Sequence, residues 1–242
     1  MKKFLFIAGF VMAQSAMAQS AQTEDKKNIV KVNLLGFTSG SIALQYERLI
    51  ATKTSVALGM NIMPERSIPY FSYVRDVVED KGAIDLLKDV KMKAFSLTPE
   101  VRFYMGKQGL RGFYVAPFLR YDRFKVTLPV DYIYQNRIER VTINGNVDAF
   151  SAGLSLGAQW RLSERFYLDC TFIGISYGFA SGELSGKRPL NAEEQAEVRK
   201  ALDEAEIKKI DYTYNVHEQG VDVKIKGPWA NAKFALAIGY RF

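Results

Sequence analysis

The segment that ends the sequence, Phe234 to Phe242, alternates between two kinds of side chain. Large apolar residues occupy every second position, and small or polar residues, the last of them Arg241, lie between them. Because successive side chains of a β-strand point to opposite faces, this period of two predicts a strand with one apolar face and one small or polar face. A chain that repeats the pattern is expected to form a sheet whose two faces meet different surroundings.

The alternation recurs along the chain. The predicted strands cover about residues 29–37, 41–49, 55–62, 93–105, 113–132, 149–160, 166–179 and 234–242. They have about the length that a tilted strand needs to cross a bilayer. Open sheet edges leave backbone groups unpaired in lipid, so such a sheet must close. The sequence therefore predicts an all-β fold: an eight-stranded antiparallel up-and-down transmembrane β-barrel.

The connections between predicted strands alternate in length. Those after strands two, four and six are short, and those after three, five and seven are long; the short one after strand one is the exception. The long segments are 64–91, a projecting hairpin that turns near Gln135-Asn136, and 180–230 with a helix from Asn191 to Ile210. Outer-membrane barrels have short periplasmic turns and long extracellular loops, so both termini are expected in the periplasm.

The first residues have the pattern of a secretory signal peptide. A positive start, Met1-Lys2-Lys3, precedes a short apolar run and a small-residue site at Ala16-Met17-Ala18. This predicts a signal peptide over 1–18, a short polar leader over 19–27, and a single outer-membrane barrel domain over 28–242. No later apolar run approaches the length of a membrane helix. We therefore expect an exported protein of the cell envelope.

The charges and the cysteine exclude several classes. The net charge is +7, and basic and acidic residues are interspersed, which argues against nucleic-acid binding but leaves a weak attraction to anionic lipid headgroups open. Cys170 is the one cysteine, so no disulfide or cysteine metal site forms within the chain. Alternation places Cys170 on the lipid face with Leu168 and Phe172.

The inward face of the predicted barrel carries balanced charges. They are Lys31, Arg102, Arg120 and Arg241 against Glu47, Glu100, Asp122 and Asp169. Isolated buried charges are costly, so these should pair, and strand neighbours suggest Glu100 with Arg120 and Glu47 with Lys31. Side chains can fill an eight-stranded lumen, which predicts a filled core without an open pore. A proton or ion relay is the other interpretation of these charges, and packing is favoured over it.

Aromatic side chains are predicted at both ends of the outward face, as in the interfacial belts of membrane barrels. The periplasmic belt would contain Tyr46, Phe103, Phe113, Trp160, Phe166, Tyr240 and Phe242. The outer belt would contain Phe37, Tyr121, Phe150 and Tyr177.

Four motifs carry a resemblance to a known family. They are Asn33-Leu-Leu-Gly36, Gln45-Tyr-Glu-Arg48, Leu97-Thr-Pro-Glu-Val-Arg-Phe-Tyr104 and Gly239-Tyr-Arg-Phe242. The chain resembles small Gram-negative outer-membrane barrels of the outer-membrane-protein A and X type, and among them a Bacteroidota barrel family classed as a domain of unknown function. The resemblance implies an outer-membrane barrel and no particular activity. It also implies that the assembly machinery for outer-membrane barrels recognises the C-terminal strand ending at Phe242.

The function expected from these features is a structural or interaction role through surface loops. Expected partners are outer-membrane lipid, lipopolysaccharide and a surface protein; no catalytic, metal or cofactor residue is assigned. An outer-membrane lipid-modifying or proteolytic enzyme is one alternative, for which His217, with Glu218 and Asp222 nearby, is the best candidate base. A small-solute channel is the other, although open pores usually need larger barrels.

Overall fold

The computed structural model describes residues 26–68, 84, 88–203 and 211–242. Its strands are β1 (Asn28–Asn33), β2 (Ile42–Ala51), β3 (Thr54–Ser67), β4 (Lys91–Tyr104), β5 (Gly112–Tyr134), β6 (Arg137–Arg161), β7 (Phe166–Lys187), β8 (Asp211–His217) and β9 (Gly220–Arg241). Its helices include α1 (Leu34–Thr38) and α2 (Ala192–Asp203). The predicted signal peptide and most of the excursion over 64–91 lie outside the described residues.

The strands form one antiparallel sheet that closes into a ring. Each strand from β1 to β6 pairs with the next, β7 pairs with β9, and β9 returns to β1. The strand β8 stands outside the ring, because it pairs with the first residues of β9 only. Eight of the nine strands therefore make the barrel, which confirms the predicted fold class.

The pairing register shows that the strands are tilted. The paired residues can be followed from strand to strand around the ring, starting at Tyr121 on β5 and passing through β4, β3, β2, β1, β9, β7 and β6. The path returns to β5 beside Gly112 and not at Tyr121, so the two ends of the path are offset along the strand. This stagger is the shear that a closed barrel of tilted strands requires.

The outward face of the ring is apolar. Each aromatic residue predicted for the two belts is at least partly exposed, but Phe37 lies after the end of β1, on the helix α1, and not on a ring strand. Phe166 pairs with Tyr240 near one end, and Tyr121, Phe150 and Phe179 align across three strands near the other. Exposed aliphatic side chains such as Leu154 lie between these rows. An apolar band between aromatic belts is the construction of a transmembrane barrel. Among the described residues, no helix is long and apolar enough to cross a membrane.

The first strand is shorter than predicted. It ends at Asn33, and the residues expected to continue it to Phe37 form the short helix α1. The Asn33 side chain accepts a hydrogen bond from the Leu35 amide at 3.1 Å. A side chain that satisfies the backbone in this way favours a helix start over a continued strand.

Four ring strands extend beyond the barrel and build a second unit. This unit, termed the cap, comprises residues 127–144, 181–203 and 211–226. Its leading hairpin turns at Gln135 and Asn136, which both have positive φ, 48° and 59°. Two consecutive residues with positive φ are typical of a type I′ turn, whose twist matches that of paired strands. The turn therefore lies at the position predicted from the sequence.

The cap has its own hydrophobic core. The inward face of the barrel strands continues upward, and α2 covers it. The buried core residues are Val130, Tyr132, Val141, Ile143, Leu184, Leu190, Val198, Leu202, Val216, Val221 and Val223. Asn191 caps α2 as predicted: its Oδ1 accepts from the Glu194 amide at 2.9 Å, and the Glu194 carboxylate accepts from the Asn191 amide at 3.0 Å. This reciprocal arrangement is a capping box. The predicted helix residues 204–210 lie outside the described part.

Candidate functional site: the lumen and the cap

The lower end of the lumen has a closed floor. Tyr104, Tyr114 and Tyr167 are buried there with Ile29 and Leu110. Leu110 comes from the turn between β4 and β5, and its backbone oxygen accepts from the Gln159 side chain at 2.8 Å. The turn is therefore anchored to the floor.

A network of buried charges lies on this floor. The Lys31 ammonium group donates to Glu47 and Asp169, and also to the Gln159 Oε1 at 2.6 Å. Arg102 donates to Asp169 from a guanidinium that is almost fully buried. The predicted Lys31–Glu47 pair is thus confirmed, and one shared carboxylate, Asp169, joins it to Arg102.

Above this layer, the predicted Glu100–Arg120 pair is wrong. Both side chains face the lumen, but Glu100 accepts from Arg102 Nε at 2.5 Å and from Lys233 Nζ at 2.7 Å. Arg120 instead donates to Asp122 on its own strand, at 2.8 and 2.9 Å. The prediction missed Lys233 because it began the last strand at Phe234, whereas β9 begins at Gly220. A continued alternation from Arg241 back through Lys233 was the signal that identifies it.

The luminal charges balance once this correction is made. Lys31, Arg102, Arg120 and Lys233 face Glu47, Glu100, Asp122 and Asp169. Arg241, predicted inside, lies at the lower rim, where it donates to the Tyr167 hydroxyl at 2.9 Å. Buried charges with several partners hold their strands in one register, since losing one partner leaves the other uncompensated. The network therefore fills the lower lumen and links the strands that line it.

A cavity of about 310 Å³ lies above the network. Its lining includes Gln45 and Thr98 from the barrel wall, Lys233 from β9 and Leu35 from α1. The lumen is therefore filled at its floor and retains space beneath the cap.

A polar cluster, buried at Tyr132 and Glu194 and half-buried at Arg188 and Glu139, ties α2 to the cap sheet. The Tyr132 hydroxyl donates to Glu194 at 3.1 Å, and Arg188 donates to Glu139 at 2.8 Å. The Arg188 guanidinium also lies 5.5 Å from the centre of the Tyr132 ring. Burial, and then the Glu194 carboxylate, raise the pKa of Tyr132 to about 12. The phenol is thus held in its neutral form.

His217 lies at the turn between β8 and β9. Its Nε2 is 3.2 Å from the Asp222 carboxylate, and its Nδ1 accepts from the Gln219 amide at 3.2 Å. The register places Asp222 opposite Ser185 on β7, so the aspartate stands between the serine and the histidine. A nucleophilic triad needs the histidine in the middle. The Glu218 backbone oxygen accepts from the Leu190 amide.

Two other features of the sequence can be placed. Cys170 lies half-buried on the outward face between Leu168 and Phe172, as predicted. Within the described ranges, no group of three or more His, Cys, Asp or Glu residues is arranged to hold a metal ion.

Comparison with protein families identifies a family to which the chain is similar. The model of a family described as "Protein of unknown function (DUF3575)" matches residues 6–200. Among curated proteins, none matches the chain.

Comparison with solved structures gives distant likenesses. CarO of Acinetobacter baumannii is 13% identical, with a TM-score of 0.39, over 92% of this chain and 100% of CarO. The N-terminal β-barrel domain of Pseudomonas aeruginosa OprF is 10% identical, with a TM-score of 0.31, over 90% of this chain and 98% of that domain. The translocator domain of the autotransporter NalP from Neisseria meningitidis is 10% identical, with a TM-score of 0.33, over 100% and 98%.

Proposed function

Because the chain belongs to the DUF3575 family of proteins of unknown function, its role has to be inferred from its own geometry, and we propose a non-enzymatic interaction protein of the outer membrane. The barrel anchors the cap, and the cap binds a surface partner. The observation that carries the proposal is the separate hydrophobic core of the cap. Loops that only cover a barrel mouth do not need a packed sheet and helix, whereas rigid scaffolds commonly present binding surfaces.

The orientation follows from the lengths of the connections. The turns at Ala51–Thr54, 105–111 and 162–165 are short and lie at one end, and the cap lies at the other. Outer-membrane barrels keep short turns in the periplasm, so we place both termini there and the cap outside the cell. The outward face then contacts lipid, with lipopolysaccharide around the outer belt. The C-terminal strand β9, ending next to Phe242, is the segment offered to the barrel assembly machinery.

The proposed contact surface is the tip of the β5–β6 hairpin. Ile133 and Ile138 pair across the two strands, and they are 65% and 77% exposed. Contact with another protein would remove this exposed apolar pair from water, which favours the tip as a contact surface.

Purification of the tagged protein from native outer membranes tests this role. We expect a near-stoichiometric protein partner that is lost from the Ile133→Ser/Ile138→Ser variant and retained by Thr142→Ala, a change on the same hairpin farther from the tip. Recovery of lipid alone, with both variants and the parent identical, would refute an interaction role at this tip.

The filled lower part of the lumen argues against the channel alternative. The floor residues and the charge network span the interior, so we expect no steady conductance from the protein in a planar lipid bilayer. A stable large conductance would overturn this part of the proposal. For the enzymatic alternative, no change in membrane lipids is expected on His217→Ala.

A further inference from the structure

The wall of the barrel has an interruption beside β1. On this side of β9, β8 pairs with residues 220–226 and β1 pairs with Ala237–Arg241. Among the described residues, no strand pairs with positions 227–236 on that side, because the chain leaves β1 at Asn33 to form α1. This interruption, bordered by β9 227–236 and by α1, is termed the seam.

The seam lies within the apolar band. Ala230 pairs with the belt residue Tyr177 near the upper limit, and Ile238 pairs with Leu168 nearer the lower belt. An unpaired strand edge at this depth is costly, since lipid cannot satisfy backbone groups. The Asn33 Oδ1 accepts from the Leu236 amide at 3.2 Å at the lower end of the seam, and Pro228 carries no N–H near its upper end.

The luminal cavity is lined by residues from both sides of the seam. Its lining includes Leu35 and Gly36 of α1 on one side of the seam, and Ala232 and Phe234 of β9 on the other side. Phe234 and Leu35 are large apolar side chains with 57% and 41% exposure. The cavity therefore opens toward the lipid-facing side between apolar residues.

The lining of the cavity is positive although the lumen as a whole is balanced. All four luminal cations line it, but Asp169 is the only one of their four carboxylate partners that does. The side chains of Glu47, Glu100 and Asp122 are fully buried behind the cations. Arg120 and Lys233 each keep 18% of the side chain exposed, so they are the cations presented to a bound molecule.

We propose that the seam and its cavity bind an anionic amphiphile from the membrane. A carboxylate or phosphate head group enters the cavity and accepts hydrogen bonds from Lys233 and Arg120. Ligand cavities usually hold about 300–1,000 Å³, so a cavity of about 310 Å³ suits a head group and leaves the acyl chain in the seam. There the chain packs between Leu35 and Phe234 and covers the edge of β9.

Equilibrium binding in phosphatidylcholine nanodiscs tests the head-group chemistry. Three labelled probes with the same tail are compared: dodecanoate, dodecyl phosphate and dodecyltrimethylammonium. We expect saturable binding at one site for an anionic probe and at least tenfold weaker binding of the cation. Preference for dodecanoate identifies a free fatty acid, and preference for dodecyl phosphate identifies a phospholipid-type head. Equal binding of all three probes would overturn the proposal.

Two matched pairs of variants locate the site. Lys233→Gln should weaken binding of the anionic probe about tenfold, because a charge-assisted hydrogen bond is lost, whereas Lys224→Gln in the cap should leave it unchanged. Ala232→Trp, at the cavity mouth, should block binding, and Ala230→Trp on the same face of β9 should not. Heat-modifiable gel mobility confirms folding of each variant.

The two variant pairs are independent, so a folding failure of Lys233→Gln leaves Ala232→Trp as the deciding variant. Unchanged affinity in Ala232→Trp would overturn the seam as the site. The cap variant Ile133→Ser/Ile138→Ser should bind the probe normally, which separates this inference from the proposed partner binding.

Discussion

Asp169 is the residue on which the lower charge layer depends. It accepts from both Lys31 and Arg102, and its side chain is 4% exposed. The strands β1, β4 and β7 therefore meet at one carboxylate. Because breaking a buried ion pair leaves an uncompensated charge, its removal costs more than the loss of an exposed pair.

We expect Asp169→Asn to lower the free energy of unfolding by about 3–5 kcal/mol. Urea titration of the protein in detergent micelles measures it. The control Glu183→Gln removes an acid from an exposed pair with Lys224, 3.3 Å apart, and should change the free energy by less than about 0.5 kcal/mol. Equal effects of the two changes would mean that the luminal network does not stabilise the barrel.

Tyr132 makes the stability of the cap depend on pH in the alkaline range. Its pKa in the folded protein is raised to about 12, above the value of about 10 for an unfolded tyrosine. A group whose folded pKa is raised stabilises the protein fully below the unfolded pKa, and this contribution is lost as the pH rises through the folded pKa.

The expected result is that the parent loses cap stability relative to Tyr132→Phe between about pH 10 and 12. Hydrogen exchange of the α2 amides, measured at matched pH in the two proteins, follows this loss. Parallel pH curves for parent and variant would show that the Tyr132 phenol does not contribute.

At the scale of the element, the β5–β6 hairpin is the longest paired unit of the barrel and cap. Its register runs without a shift from Gly112↔Gln159 to Tyr134↔Arg137. The sequence allows this hairpin to be predicted, because alternation and two turn residues lie together in the chain. The end of β1 is harder to predict, since Leu34 and Leu35 fit a strand as well as a helix and the Asn33 cap decides between them.

The hairpin turn should tolerate glycine. Gln135 has a φ of 48°, a conformation that costs an L-residue about 1–2 kcal/mol and glycine much less. We therefore expect Gln135→Gly to slow hydrogen exchange of the neighbouring β5 and β6 amides. As a contrasting change, Asn136→Val should speed it, because a β-branched side chain fits a positive φ poorly. The opposite order would mean that the turn does not limit opening of the hairpin.

At the scale of the whole molecule, local patterns predict the ring better than the interior. Alternation assigns most ring residues to a face, so the barrel, the aromatic belts and seven of the eight luminal charges follow from the sequence, with Lys233 taking the place predicted for Arg241. Pairing within the lumen depends on distances across the barrel: Lys233 reaches Glu100 from a strand that is not its neighbour in the ring. The packing of α2 on the cap likewise joins segments far apart in the chain, which periodicity alone does not specify.

The early end of β1 also sets the order in which the ring comes apart. The pair that closes the ring runs only from Ile29↔Arg241 to Asn33↔Ala237, whereas the pair of β7 with β9 extends along nearly the whole of both strands. Short pairing has few hydrogen bonds to break, so local opening should begin there. In native-state hydrogen exchange, the amides of β1 should exchange before those of β6; the reverse order would contradict this.

Such a barrel opens first at one fixed strand pair, β1 with β9. During folding the same strand pair is the last to form. Its two strands come from the two ends of the barrel sequence, so pairing them closes the longest loop of the barrel and has the largest loop-closure entropy cost. The five-residue helix that shortens β1 thus makes the beginning and the end of the barrel sequence the final pieces to meet.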